Sequence, residues 1–296
     1  MKQRTAILSV GSNTTLILIK VVAGTLTGSV AILTEAVHSS IDLIASLVAL
    51  FSVRIADEPA DERHSYGHEK VENLAAAFEG ILILVGSAVI AFEATRRLIT
   101  GGSTHTLGLG IAVIAFSAVA NLVVSAVIAR GGRLSGSPAL EGDAAHLRTD
   151  AVSSLGVLLA LVLVKTTGAQ WIDPVAALLV ASVIVITGMR LLLRAGAVLV
   201  DQALPPAETE TIAGVIERFS DGSVIGFHQL RTRRGGSQRY VDVHVQFRAG
   251  TTLEQAHRAA HQLQAEIASA LGGADVLIHL EPEDRLRPGQ RALHIR

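Results

Sequence analysis

Six apolar runs precede residue 200, near 6–27, 30–54, 71–99, 107–130, 141–166 and 171–197, each long enough to cross a bilayer. A spanning helix needs about 20 mostly apolar residues, because each residue advances only about 1.5 Å through a hydrocarbon core of about 30 Å. The pattern therefore predicts an α-helical membrane protein with six transmembrane helices. Composition agrees: 50% hydrophobic and 17% charged residues, with a mean hydropathy of +0.48, are too apolar for an ordinary soluble domain. A net charge of -1 and a pI near 6.8 exclude a general nucleic-acid binder, which needs a basic face to displace counterions. With no cysteine, disulfides and thiolate metal sites are excluded, whereas eleven histidines leave sites built from His, Asp and Glu open. The start, "MKQRTAILSVGSNTT", lacks a short apolar core followed by a small-residue cleavage site, and reads as the approach to the first span.

The breaks between runs are of two kinds, and they alternate as the two sides of a membrane must. "GTLTGS", "TGGSTHTLG" and "TTGAQWIDP" are rich in Gly and Thr, whereas "RIADEPADERHSYGHEK" and "ARGGRLSGSPALEGD" are longer and more charged. Cations on the second side, with Lys2, Arg4, Arg190 and Arg194, outnumber Arg96, Arg97 and Lys165 on the first. The positive-inside rule then puts both termini in the cytoplasm, in keeping with an even number of spans. Pro205 and Pro206 stop the sixth run, and sustained apolar stretches end there. The expected domains are residues 1–203 in the membrane and 204–296 outside it. Beyond 204, "AETETIAGVIERF" and "TLEQAHRAAHQLQAEIASAL" have helical spacing, and "VIGFHQLRTRR", "QRYVDVHVQFRA" and "ADVLIHLEP" read as strands. The order αββαβ suits a ferredoxin-like α+β unit with helices on one face of a small sheet.

Charge inside the apolar runs is the chemical signal. "EAVHSSID" in the second run places His38 one helical turn from Asp42, and "HLRTD" in the fifth repeats the spacing with His146 and Asp150. Two His-x-x-x-Asp pairs offer two imidazoles and two carboxylates, enough for a tetrahedral divalent cation. Zn²⁺ suits that set best, with Fe²⁺, Co²⁺ and Mn²⁺ still compatible. Ionisable groups at depth are costly and usually face a pathway, and the duplicated spacing favours a site over two structural His/Asp couples.

Four stretches, "SVAILTEAVHSSIDLIASL", "PADERHSYGHEKVENLAA", "HLRTDAVSSLGVLLA" and "VLIHLEP", resemble the cation diffusion facilitator family of proton-coupled divalent-metal exporters over nearly the whole chain. The resemblance implies a transport site at His38, Asp42, His146 and Asp150, of the type that prefers zinc, with Cd²⁺ among the alternative cargoes. It implies a second metal at Asp61, His64 and His68 in the loop after the second span. In the C-terminal domain it implies regulatory zinc at His228, His244, His279 and Glu281, with His257 as a further ligand. Glu281 stands where some relatives have Asp. The resemblance further implies a homodimer in a bacterial inner membrane, and a charge pair between Lys70 and Asp201 near the dimer interface. "HEKVE" is not a zincin box, since its fifth residue is Glu72, so a metalloprotease is excluded.

Other polar residues are less telling. His105, His261 and His294 read as solvated, and Glu93 beside Arg96 and Arg97 as a helix-end ion pair. Lys20, Asn13 and Asn121 either line the pathway or bridge helices, Glu35 lies one turn outward from His38, and the pattern gives Glu79 no role. Because carboxylate and imidazole ligands must lose protons to bind a cation, metal and H⁺ compete at such a site, as antiport requires. Two other classes fit less well: a membrane-anchored metal sensor needs no duplicated charges at depth, and an intramembrane hydrolase lacks a Ser/His or zincin arrangement.

Overall fold

A computed structural model of the chain describes residues 2–27, 30–100, 108–169, 171–219, 222–283 and 291–292, with no side chain described at 24, 27, 30–35, 37, 38, 41, 108–111, 113, 114, 157, 161, 165, 173, 291 and 292. The chain divides into two units, residues 1–196 and 197–296.

Six long helices occupy the first unit: α1 (Lys2–Thr27), α2 (Val30–Ala56), α3 (Lys70–Thr100), α4 (Gly108–Ser135), α5 (Pro138–Thr167) and α6 (Ile172–Leu199), the last running three residues past its boundary. Among the described residues, segments of α1, α3, α4, α5 and α6 are long and apolar enough to cross a membrane. α2, with 27 residues, reaches roughly 40 Å at 1.5 Å per residue. Large apolar side chains point outward along the bundle, Leu18, Ile44, Phe92, Val123, Leu159 and Leu179 among them, each more than half exposed. Water would make such a surface untenable, and lipid is its natural solvent. Inside, the contacts are made by small residues: Ala6, Ala49, Ala75, Ala129, Ala139 and Ala144 pack with Ile128 and Leu147. Without a hydrophobic drive between helices in lipid, such residues let backbones come close enough for dispersion and polar contacts to hold them.

The charged break "ARGGRLSGSPALEGD" is not the long loop its composition suggests. α4 runs on to Ser135, and only Gly136 and Ser137 separate it from α5. Gly136 takes φ +60°, which its missing Cβ allows, and the Ser137 side chain accepts from Leu140 N ahead of Pro138 in the first turn. Gly131 and Gly132 lie inside the helix because of packing: a Cβ on Gly131 would come within 2.8 Å of Thr5, and one on Gly132 within 3.1 Å of Glu141 N.

The second unit contains α7 (Pro206–Arg218), β1 (Val224–Gly235), β2 (Gln238–Phe247), α8 (Leu253–Ala270), β3 (Asp275–Pro282) and β4 (Arg291–Ala292). α8 starts in a capping box between Thr252 and Gln255, and buries Ala256, Ala259, Ala260, Leu263 and Ile267, one helical face. The sheet order is β3-β2-β1-β4. β1 and β2 form an antiparallel hairpin, and α8 carries the chain over to β3, which lies parallel to β2 as its immediate neighbour. Alternate strand residues, Val241, Val243, Val245 and Phe247 on β2 with Val276 on β3, join Ile212, Ile216, Leu263 and Ile267 in one core. β4, antiparallel to β1, lies beyond the last strand expected from the sequence; two residues are too few to show a period.

Candidate metal centres

Three groups of His, Asp and Glu bring their ligand atoms within 4.8 Å of one another: Asp42, His146 and Asp150; Asp61, His64 and His68; and His228, His244 and Glu281.

The first lies inside the helical unit. Asp42 and His146 are buried, at 4% and 7% exposure. His146 Nε2 stands 3.2 Å from Asp42 Oδ1, across the α2–α5 contact, and 3.7 Å from Asp150 Oδ2, one turn along α5. His38 belongs to α2 one turn before Asp42, but its side chain lies outside the described residues, as does that of Glu35. A polar network holds α2 against its neighbours at this level. Ser46 donates to Asp143 Oδ1 at 2.9 Å, and accepts from Asn13 Nδ2 at 2.7 Å and from the Ser9 hydroxyl at 2.9 Å. Asn13 Nδ2 also reaches the backbone carbonyl of Asp42 at 3.3 Å.

Two more acids lie beside this cluster: Asp143, which the sequence did not single out, and Glu79, to which it gave no role. Asp143 and Glu79 are both 0% exposed, and Glu79 Oε2 lies 3.8 Å from His146 Nδ1. Asp143 carried a signal, since three residues before His146 is the same helical face; its place beside a charged break disguised it. Lys20, also buried, donates to Ser39 at 2.7 Å. Glu93 accepts from Arg96 and Arg97 at 3.1 and 3.0 Å. At the start of α3, buried Glu72 binds Lys2 Nζ at 2.8 Å and accepts from the Ser137 hydroxyl.

The second cluster is a turn in the loop between α2 and α3. Asp61 Oδ1 accepts from the backbone N–H of Arg63 and of His64, at 2.8 and 2.6 Å. The His64 N–H, helped by that of Arg63 and by the His64 ring, holds the Asp61 carboxyl below its ordinary range against the opposing effect of desolvation. His64 Nδ1 and His68 Nε2 each lie 3.3 Å from an Asp61 oxygen and 3.0 Å from one another. Gly67, at φ +81°, turns the chain between the two rings.

The third cluster is made by strand register. His228 on β1 pairs with His244 on β2, which pairs with His279 on β3, a row across three strands. Odd-numbered residues of β2 face the helices, so His244 faces the other way, with His279 and Glu281 beside it. Just past His228 the ladder shifts register, and Gln229 takes φ +49°, a bulge of the kind that re-aims a side chain. Glu281 bonds His228 Nε2 at 2.7 Å and His244 Nδ1 at 2.9 Å, while His279 Nε2 stays 3.9 Å away. Burial pushes the Glu281 carboxyl up, but the two histidine hydrogen bonds outweigh it and hold it down at about 2. Glu281 thus serves both imidazoles at once, despite being one methylene longer than Asp. His257 lies outside this group, exposed on α8 with its ring 4.4 Å from that of His261. Lys70 and Asp201 belong to different units, and Asp201 accepts from Arg233 at 3.2 Å within its own. His105 and His294 lie outside the described residues.

All three clusters combine imidazole with carboxylate, a donor set for borderline divalent cations and a poor one for Ca²⁺ or Mg²⁺. Residues 6–200 match the cation efflux transmembrane domain, and residues 204–283 the cytoplasmic domain of cation efflux proteins. An uncharacterized transporter of Synechocystis sp. is 35% identical over 277 residues, covering 94% of this chain and 89% of that one. The cation-efflux pump FieF of Serratia proteamaculans is 35% identical over 268 residues, covering 90% and 88%. A solved structure of the putative zinc transporter CzrB, in its zinc form, is 36% identical over 29% of this chain and 99% of that one, with a TM-score of 0.28. Apolar spans, a small cytoplasmic α/β domain and both family matches agree: the chain belongs to the cation diffusion facilitator family and is an integral-membrane metal-efflux transporter, not an enzyme.

Proposed function

We propose that this transporter exports Zn²⁺ from the cytoplasm in exchange for protons, through a site formed by His38, Asp42, His146 and Asp150. The observation that carries the reading is the convergence of Asp42, His146 and Asp150 from two helices at a buried point. Three ligands plus His38, one turn from Asp42, complete a tetrahedral set for zinc. The same donors take Fe²⁺, Co²⁺, Mn²⁺ and Cd²⁺ as lesser cargoes.

Coupling follows from ligand chemistry. The cation needs deprotonated ligands, so a site loaded from the cytoplasm is emptied when it opens outward and protons reclaim those ligands. Imidazole titrates near physiological pH, which makes His38 and His146 the natural proton carriers. The spans lie in a bacterial inner membrane with both termini in the cytoplasm. The transporter works as a homodimer. Asp61, His64 and His68 take a second ion. Zinc at His228, His244 and Glu281, with His279 beside them on the same sheet face, senses cytoplasmic metal and favours the transporting state by binding it better.

The test is zinc exchange driven by a pH gradient in vesicles holding His38→Ala or His146→Ala. Each variant should lose exchange, and wild-type exchange in either refutes the mechanism.

A further inference from the structure

Behind His146, on the side away from Asp42 and Asp150, a third carboxylate faces the ring. Glu79 comes from α3 and is fully buried, with Oε2 3.8 Å from His146 Nδ1. Neither Glu79 oxygen has a hydrogen-bond partner among the described residues, and neither has Nδ1. α3 and α5 touch at this level: a Cβ on Gly142 would come within 3.2 Å of both Ala76 Cα and Glu79 Cγ. The glycine makes room for the Glu79 stem, and the stem delivers its carboxylate to the back of the imidazole.

An orphaned carboxylate inside a helix bundle and an orphaned buried ring nitrogen are both costly. Closing the gap by about 1 Å, to normal hydrogen-bond length, relieves the two together. The other charged groups acting on Glu79 include Asp42, Asp143 and Asp150, all acids, so His146 is its natural partner. The opposite ring nitrogen, Nε2, faces Asp42 and Asp150 at 3.2 and 3.7 Å.

We propose that Glu79 is a positioning residue for His146: it accepts the Nδ1–H and so fixes the tautomer whose Nε2 lone pair points at Asp42 and Asp150, where the cation binds. The inference rests on the transport-site reading above. Metal-binding histidines commonly give their second N–H to a carboxylate, which orients the ring and raises its basicity, and removing that carboxylate typically costs about 10- to 100-fold in metal affinity. A carboxylate that merely paired α3 with α5 would leave the metal's ligand field alone.

The test uses the full-length chain in detergent, with His68→Ala and His244→Ala disabling the other two clusters, and reads Co²⁺ binding by visible absorption. Binding that Asp150→Ala removes is expected in this background; its absence overturns the transport-site reading, and the role of Glu79 with it. Where that binding is present, Glu79→Leu should weaken it by about 10- to 100-fold and alter the absorption bands. Glu79→Gln keeps a carbonyl acceptor and should fall between Glu79→Leu and the parent. Affinity within twofold of the parent and unchanged bands in a folded Glu79→Leu overturn the proposal while leaving the transport site standing. Should Glu79→Leu fail to fold, ¹⁵N-histidine NMR of the zinc-loaded parent decides. The His146 signals, assigned by their loss in His146→Gln, should show the proton on Nδ1 and metal on Nε2; the reverse overturns the proposal.

Discussion

Replacing Ser46 by alanine removes the hydroxyl at which α1, α2 and α5 meet. Ser46 is 1% exposed, and its Oγ lies 2.7 Å from Asn13 Nδ2, 2.9 Å from Ser9 Oγ and 2.9 Å from Asp143 Oδ1. Side-chain hydrogen bonds between membrane helices average about 0.6 kcal/mol, so three of them contribute roughly 2 kcal/mol. Asp143 raises the figure: leaving a buried carboxylate short of a donor costs about 1–3 kcal/mol, and its Oδ2 already has no partner among the described residues. Ser46→Ala should therefore destabilise the helical unit by about 2–4 kcal/mol. Ser52→Ala is the control. It is equally buried, but its hydroxyl donates to Ala49 O in its own helix at 2.8 Å, and that turn stays bonded without it. Its removal should change stability by no more than about 0.5 kcal/mol. Unfolding of the purified chain in mixed micelles by titrated SDS, followed by helical circular dichroism, compares the two. If Ser46→Ala falls within about 0.5 kcal/mol of Ser52→Ala, the shared network is not what holds α2 against α5.

Three further outcomes are expected. Gly142→Val, whose added carbons meet Ala76 and Glu79, should wedge α3 from α5 and cost about 1–3 kcal/mol in the same assay. Glu281 has its folded value lowered from 4.5 to about 2, so its histidine bonds stabilise the C-terminal unit fully above pH 4.5 and lose that effect as pH falls through about 2. The thermal-stability gap between wild type and Glu281→Gln should thus be present at pH 6 and close near pH 2; a gap independent of pH would contradict this. Asp61→Ala, at an exposed turn, should abolish zinc binding by the loop cluster in a chain already carrying His244→Ala and Asp150→Ala, with an unchanged helical spectrum.

What could be seen in the sequence was local. A run of about 20 apolar residues is a length set by the bilayer, and His146 and Asp150 share a helical face through spacing alone. The same holds for His279 and Glu281, two apart on one strand. Pairing across elements was out of reach: that His228, His244 and His279 stand in one row depends on strand register, and no spacing within one strand fixes it. Gly131 and Gly132 looked like loop residues because a glycine required by a close helix contact and one required by a turn are the same letter. Glu79 had no visible role because its meaning lies in a nitrogen contributed by another helix, 67 positions on.

The central claim, zinc transport through buried His/Asp ligands at the expense of a proton gradient, is tested most directly by metal uptake into reconstituted vesicles under an imposed pH gradient. Zn²⁺, Fe²⁺, Mn²⁺ and Cd²⁺ would be compared for wild type and Asp150→Ala. Zinc flux that exceeds the others, collapses with the gradient and is lost in Asp150→Ala is the predicted result. Absent flux of every metal, with binding retained by the C-terminal cluster, would contradict it and make the chain a metal sensor anchored in the membrane.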